Sequence, residues 1–418
     1  MKKSKVFAFA GVTLLAATFL AACSGSKDSK SASKKDTTYG YVYTDDPTTL
    51  DYTVSSKASV HDITTNGVDG LLENDKYGNL VPSIAEDWSV SKDGLTYTYK
   101  IRKGVKWYDA DGEEHGEVTA HDFVTGLKHA ADKKSESLPL VKDSIKGLKD
   151  YSEGKISDFS EVGVKAVDDY TLEYTLNQPE TFWNSKTTNG VLFPISTEFL
   201  KSKGDEFGQP GNVKSILFNG PFLLKSITSK SEITFEKNED YWDKDNVHID
   251  KIKLSYYDGS DQDSIARGFS DGSYTKARLY PASSNFASVE KKYKDNIYNT
   301  QPGSGVAVLG FNIDRQAYNH TSKTSDEQKS STKKAILNKD FRQAITFALN
   351  RENYSAQVNG KEYAKAAIRN MYTAPAFVQV NGKDFGDVVA DKLQTYGDQW
   401  SGVNPVSYTH LTLPTNRE

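Results

Sequence analysis

Leu80-Val-Pro-Ser-Ile-Ala-Glu-Asp-Trp88 leads through Ser91-Lys92-Asp93-Gly94 into Thr96-Tyr97-Thr98-Tyr99-Lys100-Ile101, and then into Arg102-Lys103-Gly104-Val105-Lys106-Trp107. From Thr96 to Ile101 small polar and large side chains alternate, the period-two pattern of a strand with one buried face. Asp93-Gly94 before it reads as a turn, in which glycine takes a positive φ without steric cost. Strand signals continue to Thr119, where the pattern changes. Thr119 reads as a helix N-cap, and Asp122, three residues on, completes a capping box. Phe123, Val124, Leu127 and Ala131 then share one helical face.

The same two periods recur on either side. Upstream, residues 39–43 read as a strand, Asp45-Asp46-Pro47 as a turn, residues 59–72 as a helix ending near Gly70, and residues 73–79 as a polar turn. Downstream, residues 171–176 alternate again, and strands are expected to dominate residues 193–302, among them 232–235 and 249–257. Asn219-Gly220-Pro221-Phe222 reads as a turn feeding Leu223 and Leu224. Residues 306–311 read as an apolar strand and residues 316–331 as a polar loop. Residues 338–351 predict a helix, because Phe341, Ala344, Ile345, Ala348 and Leu349 follow i, i+3, i+4, i+7, i+8.

The N-terminus differs in kind. Lys2, Lys3 and Lys5 precede an apolar run, residues 6–22, that closes on small residues before Cys23. That is the layout of a secretory signal, and the run is marginal for a permanent span, which needs about 20 apolar residues. Residues 24–36 are rich in serine and lysine and read as a flexible tether. Cys23 is the single cysteine, so it has no partner for a disulfide or a metal cluster.

Composition narrows the function. There are 52 basic and 56 acidic residues, and loss of the signal takes the net charge from −4 to −7, which argues against a nucleic-acid binder. Twenty-four tyrosines supply amphipathic surface for walls around a polar organic ligand. No Gly-x-Ser-x-Gly elbow, P-loop or Gly-x-Gly-x-x-Gly turn is present, and Ser304 between Gly303 and Gly305 reads as a turn serine. No enzyme is expected, although the abundant carboxylates leave an acid pair open. His115, His121 and His129 lack the i, i+4 spacing of a helical zinc pair, so neither a metal nor another cofactor is expected.

Taken together, several runs resemble the family 5 solute-binding proteins of ABC importers, the oligopeptide- and dipeptide-binding group. They are the stretch from Leu80 to Trp107, Val118-Thr119-Ala120-His121-Asp122-Phe123, Asn219-Gly220-Pro221-Phe222, Asn238-Glu239-Asp240-Tyr241-Trp242, and Asp340-Phe341-Arg342-Gln343-Ala344 with Asn350-Arg351. They occur in the family's order, and the nearest likeness is to Ami/Ali-type oligopeptide-binding lipoproteins of Gram-positive bacteria. Leu20-Ala21-Ala22-Cys23 likewise resembles a lipobox, in which Cys23 is acylated and becomes the mature first residue. The resemblance implies an α/β, two-lobed periplasmic-binding-protein-like fold (type II, cluster C) with an extra side domain. Its divisions would be a signal peptide at 1–22, the lipidated Cys23 and tether at 23–37, lobe I at 38–71 and 193–303, the side domain at 72–192, and a partial lobe II at 304–406. Residues 407–418 resemble a translated read-through tail rather than native sequence, which implies a C-terminally truncated chain with an incomplete second lobe.

The function implied is that of a lipid-anchored receptor on the outer face of the cytoplasmic membrane, at a Gram-positive cell surface. It would capture oligopeptides and deliver them to the transmembrane subunits of an ABC permease, as a monomer and without nucleic acid. The alternatives are a same-fold receptor for a nickel complex, haem or sugar, or a surface adhesin. By the same resemblance, Ser55-Ser56-Lys57-Ala58 would be the lobe I edge that faces ligand, with Ser56 where some relatives carry an acid; a plain polar loop is the other reading. Asn219 and Gly220 would lie near the cleft, or form only a turn. Arg278, Leu279 and Tyr280 would line the cleft, with Arg278 holding a ligand carboxylate or standing solvated. Ala307, Val308 and Leu309 would widen the cavity where relatives carry tyrosines, or pack as core strand. The family's Asp-Tyr-x-Asp-Pro-like segment, which holds the ligand's amino terminus, has no counterpart here, so weak or no peptide binding is implied for this chain. Replacing Cys23 by alanine is expected to abolish incorporation of labelled palmitate and to release the protein from cells; unchanged labelling would rule the anchor out.

Overall fold

The computed structural model describes residues 37–298 and, from 308 to 395, all but 366, 370 and 374–377. Cys23 with its leader and tether, Ser304, Ala307 and the tail from 407 onward lie outside the described residues.

Two four-stranded sheets organise the fold. In the first, β1 (Thr38–Tyr43) lies at one edge and pairs in parallel with Lys251–Tyr256, which places Tyr41 opposite Leu254. Antiparallel strands Glu232–Lys237 and Phe222–Thr228 complete it. Its core holds Leu50, Tyr52, Ile195, Phe218, Leu224, Ile233 and Phe235, all essentially removed from water. The second sheet is wholly antiparallel, in the order Ala85–Val90, Thr96–Ile101, Thr171–Thr175, Val164–Asp168. Thr96–Ile101 is central, and its period-two pattern is seen directly: Tyr97, Tyr99 and Ile101 are buried and Lys100 is exposed. Helix α1 (Ala58–Thr64) belongs to the first body and helix α2 (Ala120–Asp132) packs against the second sheet. Phe123, Leu127 and Ala131 of α2 join Tyr99, Tyr174, Trp107 and Trp183 in a second core.

The start of α2 is as the sequence predicts. Asp122 Oδ2 accepts the Thr119 N–H at 3.0 Å, closing the box, and also takes Trp107 Nε1–H at 3.1 Å. Asp122 Oδ1 accepts the Thr197 N–H at 3.1 Å, at the head of the helix Thr197–Lys203.

Elsewhere the structure corrects the sequence reading. The helix expected over 59–72 ends at Thr64, because the carbonyls beyond it are used by another segment: Asn66 O accepts Phe222 N–H, and Gly67 O accepts the N–H groups of Asn219 and Gly220. A Cβ at Gly67 would stand 2.6 Å from the Phe218 ring, so only glycine allows this approach. Leu72 instead begins a short hairpin strand, Leu72–Asn74. Residues 193–302 are not strands alone; they also form the helices Thr197–Lys203, Gln262–Ser270 and Phe286–Tyr293. The polar stretch expected to be a loop contains the start of the helix Asp326–Leu337, nucleated by a capping box in which Ser325 and Gln328 bond each other's backbone. The helix expected over 338–351 is Lys339–Ala348; Asn350 ends it by capping a second helix, Arg351–Tyr363, through Oδ1 to Asn353 N–H at 2.9 Å. Val308 to Phe311 form no strand among the described residues, and Val308 and Leu309 are 58% and 68% exposed rather than packed in a core. No described strand pairs with them, and an unpaired strand leaves its backbone groups to water.

Phe123 is fully buried between α2 and the second sheet. Phe123→Ala is expected to cost about 3–5 kcal/mol in urea unfolding; a loss under about 1 kcal/mol would mean that α2 is not packed as described.

Candidate functional site

The stretch from Asp51 to Ala58 is held almost entirely by the end of α2 and the turn after it. Asp51 Oδ1 accepts Thr53 N–H (3.1 Å) and Oγ1–H (2.8 Å), while Oδ2 lies 2.7 Å from His129 Nε2. Ser135 Oγ donates to Thr53 O at 2.7 Å and Ser137 Oγ to Ser55 O at 3.3 Å. Glu136 Oε2 accepts both the N–H and the hydroxyl of Ser56 at 3.0 Å, and these bonds hold the Glu136 carboxyl below its usual range. Ser55 is buried; Ser56, Lys57 and Ala58 are exposed. Ser55 to Lys57 is coil, and Ala58 opens α1 with Lys57 as its N-cap.

Asn219 and Gly220 sit in a buried knot. Asn219 Oδ1 accepts the Asp69 N–H at 2.8 Å, Gly220 N–H donates to Gly67 O at 2.9 Å, and Gly220 O takes Asn238 Nδ2–H at 3.1 Å. The Asn219 amide nitrogen is buried without a protein partner. Beside them Tyr241 Oη donates to Asp69 Oδ2 at 2.8 Å. Burial pushes the Asp69 carboxyl up to about 7 against the pull of that hydroxyl, with the charges of Glu73 and Asp243 adding to the rise. No hydrogen bond or ion pair joins Asn219 or Gly220 to residues 55–58 or to Arg278 among the described residues.

Arg278 and Tyr280 belong to a different surface. The segment after Gln262–Ser270 is stitched to the free edge of β1: Thr275 N–H donates to Gly40 O at 2.9 Å, and Thr275 Oγ1–H donates to the same oxygen at 3.1 Å. A Cβ at Gly40 would stand 2.6 Å from Ser273 O, so the approach requires glycine. Beyond this stitch Lys276 Nζ lies 4.6 Å from the Tyr41 ring centre and 5.4 Å from that of Tyr39. Arg278 Cζ stands 4.9 Å from the Tyr280 ring centre. Tyr274 meets Tyr41 edge-on at 6.5 Å. Tyr257, which follows the strand Lys251–Tyr256, has its hydroxyl buried beside Tyr280 and Tyr41 and without a partner. Burial raises the Tyr41 and Tyr257 hydroxyls above the usual phenol range, and Lys276 opposes the rise at Tyr41.

The resemblance names Arg278 and Tyr280; the structure adds Tyr39, Tyr41, Tyr257 and Lys276 to this surface. Two alternations carried the signal, Tyr39-Gly-Tyr41 and Lys276-Ala-Arg278-Leu-Tyr280, each of which puts like side chains on one face of an extended segment. The three histidines go separate ways, His115 to Asp109, His121 to Asp169 and His129 to Asp51. Among the described residues no cluster of His, Cys, Asp and Glu could hold a metal, and no helix is long and apolar enough to cross a membrane.

The profile described as bacterial extracellular solute-binding proteins, family 5 Middle, matches residues 79–388. The chain is 63% identical over 404 residues to the oligopeptide-binding protein AmiA of Streptococcus pneumoniae, a match covering 97% of this chain and 61% of that protein. It is 61% identical over 404 residues to the oligopeptide-binding protein AliA of the same organism, with the same coverage. The chain thus spans about 61% of the length of the curated relatives it matches. In structure it is similar to Listeria monocytogenes OppA bound to peptide, with a TM-score of 0.64 at 26% identity over 84% of this chain and 64% of that one.

Asp69 makes stability depend on pH. Its folded carboxyl, near 7, holds a proton more tightly than the ordinary carboxyl at 3.8, so its contribution is full below about 3.8 and is lost as pH rises to about 7. The loss is at most about 4 kcal/mol. Asp69→Asn is expected to flatten this part of the stability profile in urea melts taken from pH 4.5 to 8; an unchanged slope would place the titration elsewhere.

Proposed function

Because the chain belongs to the bacterial extracellular solute-binding proteins of family 5, we propose that it captures oligopeptides outside the cytoplasmic membrane and delivers them to an ABC import permease. Its fold is the α/β, two-lobed periplasmic-binding-protein type. The observation that carries the reading is the high identity, along nearly the whole chain, to proteins named for oligopeptide binding. Those relatives are solute-binding proteins rather than enzymes, which supports binding without turnover. Their names do not favour a nickel complex, haem, sugar or adhesin reading.

We assign lobe I to residues 38–71 and 193–303, the side domain to 72–192, and part of lobe II to residues 304–406. The two cores, one around the sheet of β1 and the other around the sheet of Thr96–Ile101, support this division in the main, with Tyr108 and Ala110 crossing into the first and Leu71 and Leu217 into the second. A receptor for many peptides must bind what all peptides share, namely backbone amides, an amine and a carboxylate. Roomy, hydrated pockets then adapt to each side chain through water. Lobe closure buries the ligand, and a ligand shifts the open–closed balance only by its preference for the closed form. Acylation at Cys23, a monomeric state and contact with the permease complete the proposal.

Mass spectrometry of material released by denaturing the full-length protein, extended to the length of its relatives, is expected to find short peptides of mixed sequence, and incubation with added peptides to yield no cleavage products. A full-length preparation that carries no peptide, and that takes up no alanine hexapeptide at millimolar concentration in calorimetry, overturns the reading.

A further inference from the structure

Glu136 holds the coil before α1 with its backbone and its side chain together. Its N–H donates to Val54 O at 2.9 Å, and its Oε2 accepts the N–H and the hydroxyl of Ser56, both at 3.0 Å. The serines on either side of it brace the same coil, Ser135 through Thr53 O and Ser137 through Ser55 O. A glutamate on a surface ordinarily samples many rotamers. This one is exposed yet tied at both ends, so its charge has a fixed place beside the Ser56 side chain. Both donors fall on Oε2. Oε1 takes no hydrogen bond among the described residues, and no ion pair joins the carboxylate to Lys57, whose charge lies near it. Position 56 is where the resemblance finds an acid in some relatives and a serine in this chain. The sequence alone therefore describes a wall that has lost a charge. The structure brings a carboxylate back to that wall from a residue 80 positions later, across the boundary assigned between lobe I and the side domain.

We propose that Glu136 stands in for the acid absent at position 56, and that its Oε1 receives a cationic group of the ligand. Ser56 supplies the placement and Glu136 the charge. An ionised carboxylate offers about four lone-pair sites, so two bonds at Oε2 leave Oε1 open to an ammonium or guanidinium donor. A side chain already ordered by the protein loses little further freedom when such a donor arrives. Because the group is exposed, the gain is modest, a matter of several-fold in affinity. The inference rests on the peptide-receptor reading, in which a free amino terminus and a basic side chain present the same chemistry.

Calorimetry on the full-length protein, extended to the length of its relatives, tests this. The neutral probe is alanine hexapeptide, N-acetylated and C-terminally amidated. The charged probes are the same peptide with a free amino terminus, and six N-acetylated amides with one lysine at each position in turn. At least one charged probe is expected to bind about fivefold more tightly than the neutral one. In Glu136→Gln that ratio should fall to about one, since the amide oxygen still accepts both Ser56 bonds while the charge is gone. Adding Ser56→Asp to Glu136→Gln should restore the ratio, with the acid now where relatives carry it; a purely structural role for Glu136 would give no such rescue. Loss and rescue seen with a lysine probe name a side chain as the source, and seen with the free amino terminus name the terminus; either supports the assignment. A preference shown by no charged probe, one that survives Glu136→Gln throughout, or one that Ser56→Asp does not restore overturns the role of Glu136 and leaves the receptor reading standing. No binding by any probe overturns both.

Discussion

A single buried carboxylate, that of Asp122, ties three distant stretches of chain together. Four donors surround it: the N–H of Thr119, the indole of Trp107, and the N–H and hydroxyl of Thr197. Burial drives such a group toward neutrality, and the four hydrogen bonds oppose it. The same contact starts α2, fixes the hairpin that carries Trp107, and sets the entry to the helix Thr197–Lys203. From that pinned start α2 runs to Asp132. There His129, Ser135, Glu136 and Ser137 grip the coil that leads into α1.

How legible such features were depended on whether their cause was local. The alternation of Thr96–Ile101 and the box of Thr119 and Asp122 are set by neighbours in sequence, and both could be read directly. The helix Asp326–Leu337 was equally local, since Ser325 and Gln328 form the same kind of box; its weak apolar pattern masked it. By contrast, α1 stops at Thr64 because the chain 150 residues later uses the carbonyls of Asn66 and Gly67. Nothing near residue 64 announces that competition.

The candidate surface shows the same limit more sharply. Resemblance pointed to Arg278 and Tyr280, yet the residues that give them a chemical setting come from β1 and from the end of the strand Lys251–Tyr256. Tyr39 and Tyr41 look like ordinary strand residues until the segment carrying Thr275 is laid along their edge. Ser55 to Ala58, which resemblance set at the lobe I edge, have their local setting fixed from far away as well, since Glu136 takes the donors of Ser56.

The parallel pairing of β1 carries a temporal consequence. Thr38 finds its neighbour only when Lys251 has emerged, so β1, the earliest of the described strands, stays unpaired while everything between is made. The antiparallel sheet around Thr96–Ile101 needs far shorter loops to close, which favours its assembly first. A chain threaded outward from its amino end would thus build the middle of the molecule before its beginning, and β1 would enter as the clasp that shuts a body already formed.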